Sequence, residues 1–186
     1  MKKTGLPGDL NLLGIANHLS ALAKKAEDPD LWADECLRQA RVLISEEQAF
    51  LKRGLPVGGL NFKITQLLRE AGLLDDDVAL AYFHMSFTLM EDHGSLPVYS
   101  DIEKKRDELQ KGIDPKNKKE MLTLGKGMIR CYFASFLRYH GEYQAAALVL
   151  DDPETFNRRF KEGMLRSWKN SPDVHLDDDF FENVSF

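Results

Sequence analysis

Residues 77–94 read DVALAYFHMSFTLMEDHG, and this stretch decides the fold. From Val78 to Met90 it holds no formally charged side chain, and its apolar residues fall all round a helical wheel. That pattern predicts a helix over 77–93 buried on nearly every side, which needs other helices around it. The run Asp75, Asp76 and Asp77 ahead of it reads as the cap and first turn, where exposed backbone N–H groups favour carboxylates. Three adjacent carboxylates at a helix start do not converge on one ion.

Working outward, the punctuation is helical throughout. Asp28-Pro29, Asp114-Pro115 and Asp152-Pro153 each place an N-cap residue before a proline at the first helical position. They predict helices from Pro29 to about Gly54, from Pro115 to His140 and from Pro153 to about Trp168. Between them the spacing predicts a helix from Asp9 to about Ala26, one from about Asn61 to Ala71 capped by Gly72, and a short one from Glu142 to Asp151 after Gly141. Ser100 with Glu103 has the form of a capping box opening a charged helix over 101–111. The polar first half of 115–140 gives way to Met128, Ile129, Cys131, Tyr132, Phe133, Phe136, Leu137 and Tyr139, so that helix enters the core as it proceeds. Gly125 and Gly127 between the halves suggest close helix contact or a kink. With no period-two alternation, the expected fold class is all-α: a single-domain bundle of seven or eight helices over residues 1–170, followed by an acidic-aromatic tail, 171–186.

The chain has 186 residues, 43% hydrophobic and 30% charged, enough to bury roughly 70% of its unfolded surface as one domain. Mean hydropathy is −0.38. A formal charge of −5 restricts nucleic-acid or membrane binding to local basic patches. Two cysteines, Cys36 and Cys131, are too few for a disulfide framework and sit at apolar helical positions, so they read as core residues of a reducing compartment. The opening MKKTGLPGD lacks the apolar run of a secretory signal, and nothing approaches a membrane span, so the expectation is a cytoplasmic protein without a membrane partner.

No catalytic motif stands out. His84, Thr88 and Glu91 share one face of the central helix, with Asp92 and His93 at its end, but no HExxH, ExxH or HxxxH spacing puts two ligands together. GKG at 125–127 follows no strand and is not a phosphate loop. The expectation is therefore a non-enzymatic protein without catalytic residues, metal or cofactor.

Two charged regions carry the functional expectations. The segment 173–186, DVHLDDDFFENVSF, sets Phe180, Phe181 and Phe186 among Asp177, Asp178 and Asp179, as if aromatic anchors were to dock while carboxylates meet a basic rim. Its last ten residues resemble the acidic, Phe-terminated tail of bacterial single-stranded-DNA-binding proteins, without the proline before the final Phe. That resemblance implies capture of partner proteins. The leading expectation is a protein–protein interaction protein, an adaptor, inhibitor or assembly subunit, with a protein partner of unknown identity. Homo-oligomers remain open.

The other region is basic. Lys104, Lys105, Lys118, Lys119, Lys126 and Arg130 lie in a segment with nine cations against five carboxylates, and Arg158 and Arg159 lie on the last helix. They support an alternative, a nucleic-acid-associated accessory protein, although interleaved acids also suit an ordinary solvated face. Finally, ASFLRYHGEYQAA, 134–146, is similar to the first helix and turn of a tetratricopeptide repeat through Leu137, Gly141, Tyr143 and Ala146. The likeness implies an antiparallel helix pair there.

Overall fold

The computed structural model describes residues 20–21, 23–90 and 96–169. It is all-α, with no strand among the described residues. Residues 20–21 and 23–27 are helical, and seven further helices follow: α1 Pro29–Lys52, α2 Gly58–Glu70, α3 Asp76–Thr88, α4 Ser100–Gln110, α5 Lys118–Tyr139, α6 Tyr143–Asp151 and α7 Pro153–Lys169. These residues form two compact units, one containing 20–90 with 157–169 and the other 96–156.

In the first unit, α1 starts where expected. The Asp28 carboxylate accepts the Leu31 N–H at 3.0 Å, and Pro29 follows it. Helix α2 begins at Gly58, three residues earlier than the periodicity suggested, because the glycines of the Leu55–Leu60 joint are part of its first turn. Gly58 lies against the end of α3, where an added Cβ would come within 2.6 Å of the Ser86 carbonyl oxygen. Gly72 ends α2 at φ 74°, its N–H bonding the Arg69 carbonyl while Leu73 N–H bonds that of Leu68, a Schellman closure.

Helix α3 is the buried helix its sequence announced. Asp75 caps it by accepting the Val78 N–H at 2.9 Å, and no residue from Asp77 to Phe87 is exposed. It is shorter than the expected 77–93. The helix stops at Thr88, where Leu89 and Met90 N–H close back on Met85 and Phe87, and 91–93 lie outside the described residues. The Phe62 and Phe83 rings meet at 4.6 Å, with the Arg69 guanidinium 5.4 Å from the Phe83 centroid. Ser86 donates to Asn61 Oδ1 at 2.7 Å, giving this buried hydroxyl a partner.

Helix α7 closes on α3. Gly163 packs against the Asp77 backbone carbonyl so tightly that no Cβ would fit, and Tyr82 and Ser167 hydroxyls share a hydrogen bond of 2.7 Å. Asp77 receives Arg159 Nε at 2.6 Å and Arg166 Nη2 at 2.8 Å. The third aspartate of the expected cap run is thus a clamp between helices.

In the second unit, α4 and α5 run antiparallel, with Asp101 and Tyr99 beside Arg138 at one end and Leu109 over Gly127 at the other. Two expectations fail here. Ser100 forms no capping box; the N-cap is buried Tyr99, with no side-chain cap bond, and the helix start is held from outside by Arg138. Nor does α5 begin at Pro115. Asp114 Oδ1 accepts the Lys116 N–H in a tight turn, and Asn117 is the true cap, accepting from Lys119 and Glu120. Glu120 answers by accepting from Asn117 Nδ2 at 2.7 Å and Asp114 N–H at 2.9 Å, a local network that outcompetes the Asp-Pro start. At the other end Gly141, φ 84°, completes a Schellman turn, with Glu142 N–H on the Leu137 carbonyl and Gly141 N–H on that of Arg138. Helix α6 then turns back onto α5 as a helical hairpin. Asp152 caps α7 by accepting from Thr155 at 3.1 Å.

Candidate functional site

The surface with most chemical character in the second unit is built on α5. Its second half is packed over most of its circumference, with Cys131, Phe133, Ala134, Phe136 and Leu137 all buried. Gly127 admits Leu109 from α4, since an added Cβ would stand 2.7 Å from its Cδ1. Arg138 fixes the start of α4 by two parallel bonds to Asp101, of 2.7 and 2.8 Å, and lies 4.9 Å from the Tyr99 ring centre. That pairing holds the Asp101 carboxyl below the usual carboxylate range and the Arg138 guanidinium above its own.

With α4 anchored this way, a cleft opens on each side of it. One, of about 240 Å³, is walled by Pro97, Val98, Tyr99, Ile102, Tyr132 and Ser135, with Glu103 and Arg106 at its rim. The other, of about 350 Å³, is walled by Leu109, Gly127 and Leu150, with Lys105, Glu108 and Arg130 around it. Cys131 lies beneath both. Burial pushes its thiol pKa up, against the pull of Arg130, Arg106 and Lys105, so it stays a neutral thiol near neutral pH and is a poor nucleophile.

Several apolar side chains of α5 nevertheless stay in solvent. Leu122 is 64% exposed, Ile129 49%, Tyr132 39% and Tyr139 48%, and Met121 is exposed beside them. Steps of seven and three residues put Leu122, Ile129 and Tyr132 on one face, with Gly125 between Leu122 and Ile129; that face turns inward at Phe136, seven residues after Ile129 and fully buried, so Tyr139 stands apart from it. At Gly125 a Cβ would meet no atom within 4 Å. The expectation that the half from Met128 to Tyr139 enters the core holds over most of the helix, since Cys131 and residues 133–137 are buried, with Ile129, Tyr132 and Tyr139 the exceptions. Tyr132 joins this stripe to the first cleft.

The basic residues take different places. Lys104, Lys118 and Lys119 are exposed, and Lys126 and Arg130 half-buried. Lys119, Lys126 and Arg130, seven and four residues apart, form a row beside the apolar stripe. No ion pair to these three forms among the described residues. Lys105 is bound to Asp151 at the end of α6. Arg158 is exposed on α7 in the first unit, and Arg159 on the same helix is engaged by Asp77. Burial alone would push the Asp77 carboxyl up; the bonds from Arg159 and Arg166 outweigh it and hold it below the usual range.

His84 lies buried on α3 against the Phe160 ring at 4.6 Å, and burial pushes its pKa down to about 4, so it is neutral at pH 7. Thr88 is exposed and donates to the Met85 carbonyl at 2.8 Å. Glu91, Asp92 and His93 lie outside the described residues, as do Asp177, Asp178, Asp179, Phe180, Phe181 and Phe186. Among the described residues no three His, Cys, Asp or Glu side chains gather as a metal site, and no helix is long and apolar enough to cross a membrane. The stripe itself was not foreseen from the sequence. Its signal is there in the spacing 122, 125, 129 and 132, but the next member of that series, Phe136, is fully buried, so spacing alone does not tell where the exposed face ends.

Comparison with protein-family models, with curated proteins and with solved structures finds no match to this chain. The fold and surfaces define an all-α protein.

Proposed function

We propose that this chain is a non-enzymatic α-helical protein–protein interaction protein, an adaptor, inhibitor or assembly subunit, in which residues 173–186 engage a partner. The observation that supports this reading best is the solvent-facing apolar stripe of α5. An exposed row of large apolar side chains on a helix whose other side is packed is what a helix-binding or peptide-binding surface looks like. Phe180, Phe181 and Phe186 supply the anchors of the tail and Asp177 to Asp179 its steering charges.

Affinity capture from the native host with the full chain and with a chain lacking 173–186 tests the reading. A partner retained by the first and lost by the second, at equal helical circular dichroism, supports it; an unchanged set of captured proteins rejects it. The row Lys119, Lys126 and Arg130 favours a second reading, association with nucleic acid. That reading requires binding that weakens steeply with salt and strengthens when the acidic tail is removed. Absence of binding at low salt eliminates it.

A further inference from the structure

We infer that the cleft of about 240 Å³ between α4 and α5 is a binding site for a small uncharged aromatic molecule bearing one hydrogen-bonding oxygen, a phenol-like ring. The site lies wholly within the second unit and stands whether or not residues 173–186 capture a partner.

Its polar group is Ser135. The helical hydroxyls of Ser45, Thr65, Ser86 and Thr123 each donate to the carbonyl four residues earlier, a common way for a helix to satisfy them. Ser135 does not. It is 8% exposed and borders the cleft, and its hydroxyl makes no hydrogen bond among the described residues. A side chain more than nine-tenths buried, with its hydroxyl unpaired and open to a cleft, is completed by whatever fills that cleft. A hydroxyl both donates and accepts, so it suits a phenol or carbonyl oxygen on the ligand. Water would complete it too, but would leave the apolar walls wetted.

Those walls ask for a ring. Pro97, Val98, Tyr99, Ile102 and Tyr132 supply apolar and aromatic surface, and Cys131, a neutral thiol, lies beneath as a soft contact for an aromatic face. An apolar cavity of about 150 Å³ holds benzene, so this cleft takes a single ring with a small substituent. The rim selects against charge. Arg106 Nη2 donates to Glu103 Oε1 at 3.1 Å and to Asp107 Oδ1 at 3.2 Å, so the cation at the rim is already paired. A ligand carboxylate would face Glu103 and a ligand ammonium Arg106, whereas an uncharged ring disturbs neither.

The test is a titration of the ¹⁵N-labelled full chain with phenol, toluene, benzoate and benzylamine, followed by amide chemical shifts. Phenol is expected to give saturable shifts at residues 97–106 and 131–135, half-complete below about 10 mM, with benzoate and benzylamine several-fold weaker. Ser135→Ala should lower phenol affinity about fivefold, the worth of one hydrogen bond, and leave toluene affinity unchanged. Val98→Trp, at a side chain 57% exposed and so compatible with folding, should fill the cleft and abolish the shifts from both. No saturable shift with phenol, or shifts confined to other residues, overturns the inference. So does a charged probe binding tighter than phenol, phenol binding indifferent to Ser135→Ala, or equal losses of phenol and toluene in that variant.

Discussion

Helices α3 and α5 read alike in sequence and behave differently. The second half of α5, like α3, carries phenylalanines, tyrosine and serine in a run poor in charge, and its sequence suggests a helix entering the core. In the first unit α3 fulfils this: α2 and α7 cover it, and its two polar core groups, His84 and Ser86, are buried with it. In the second unit α4 and α6 pack on α5, yet Leu122, Ile129 and Tyr132 are left in water. Apolar content therefore gives the capacity for burial, and the number of available neighbours decides whether it is used.

The largest effect should come from emptying the α3 core. Phe83 is fully buried, against Phe62 and beneath Arg69, so Phe83→Ala should cost about 3–5 kcal/mol in urea unfolding. Ile129→Ala on the open face of α5 should stay within about 0.5 kcal/mol. Equal losses would break the contrast and mean that the α5 stripe is buried in solution.

Acid should act next. His84 has a folded-state pKa of about 4 against an ordinary 6.5, caused by burial, so its unfolded form binds the proton first. Its contribution is complete above pH 6.5 and is lost as pH falls to about 4, amounting to about 3 kcal/mol. His140 is shifted in the same direction by burial, to about 4. Thermal midpoints across that window should fall in the native chain and fall less steeply in His84→Gln.

Asp77→Asn should cost less, about 1–2 kcal/mol, because it removes charge-assisted bonds from Arg159 and Arg166 that are partly solvent-screened. With its folded pKa below the carboxylate range, the Asp77 contribution persists above that range and is lost only as pH falls through the depressed value. The acid loss of this clamp therefore begins below the histidine window. A chain with Asp77→Asn that keeps its full decline below pH 4 would show that α7 is held on α3 by packing alone.

Much of this was legible before any coordinates. The Asp28-Pro29 and Asp152-Pro153 starts and the Gly72 and Gly141 stops are local chemistry, complete within a few residues, and the chain obeys them. Asp114-Pro115 failed because Asn117 and Glu120, equally local, make a better cap three residues on. What could not be read is contact across distance. Asp77 looked like a cap residue because its partners, Arg159 and Arg166, lie more than eighty positions away. The α5 stripe was hidden for a related reason: with apolar residues on both sides of a helix, periodicity does not say which side finds a neighbour.

The smallest effect is the most discriminating for that stripe. Gly125 has open space where a Cβ would stand, and its position in the middle of α5 makes glycine unfavourable there by up to about 1 kcal/mol relative to alanine. Gly125→Ala should therefore raise urea stability slightly, whereas Gly127→Ala, whose Cβ meets Leu109, should not. A loss of stability in Gly125→Ala would show that a neighbour stands over this position in the folded chain.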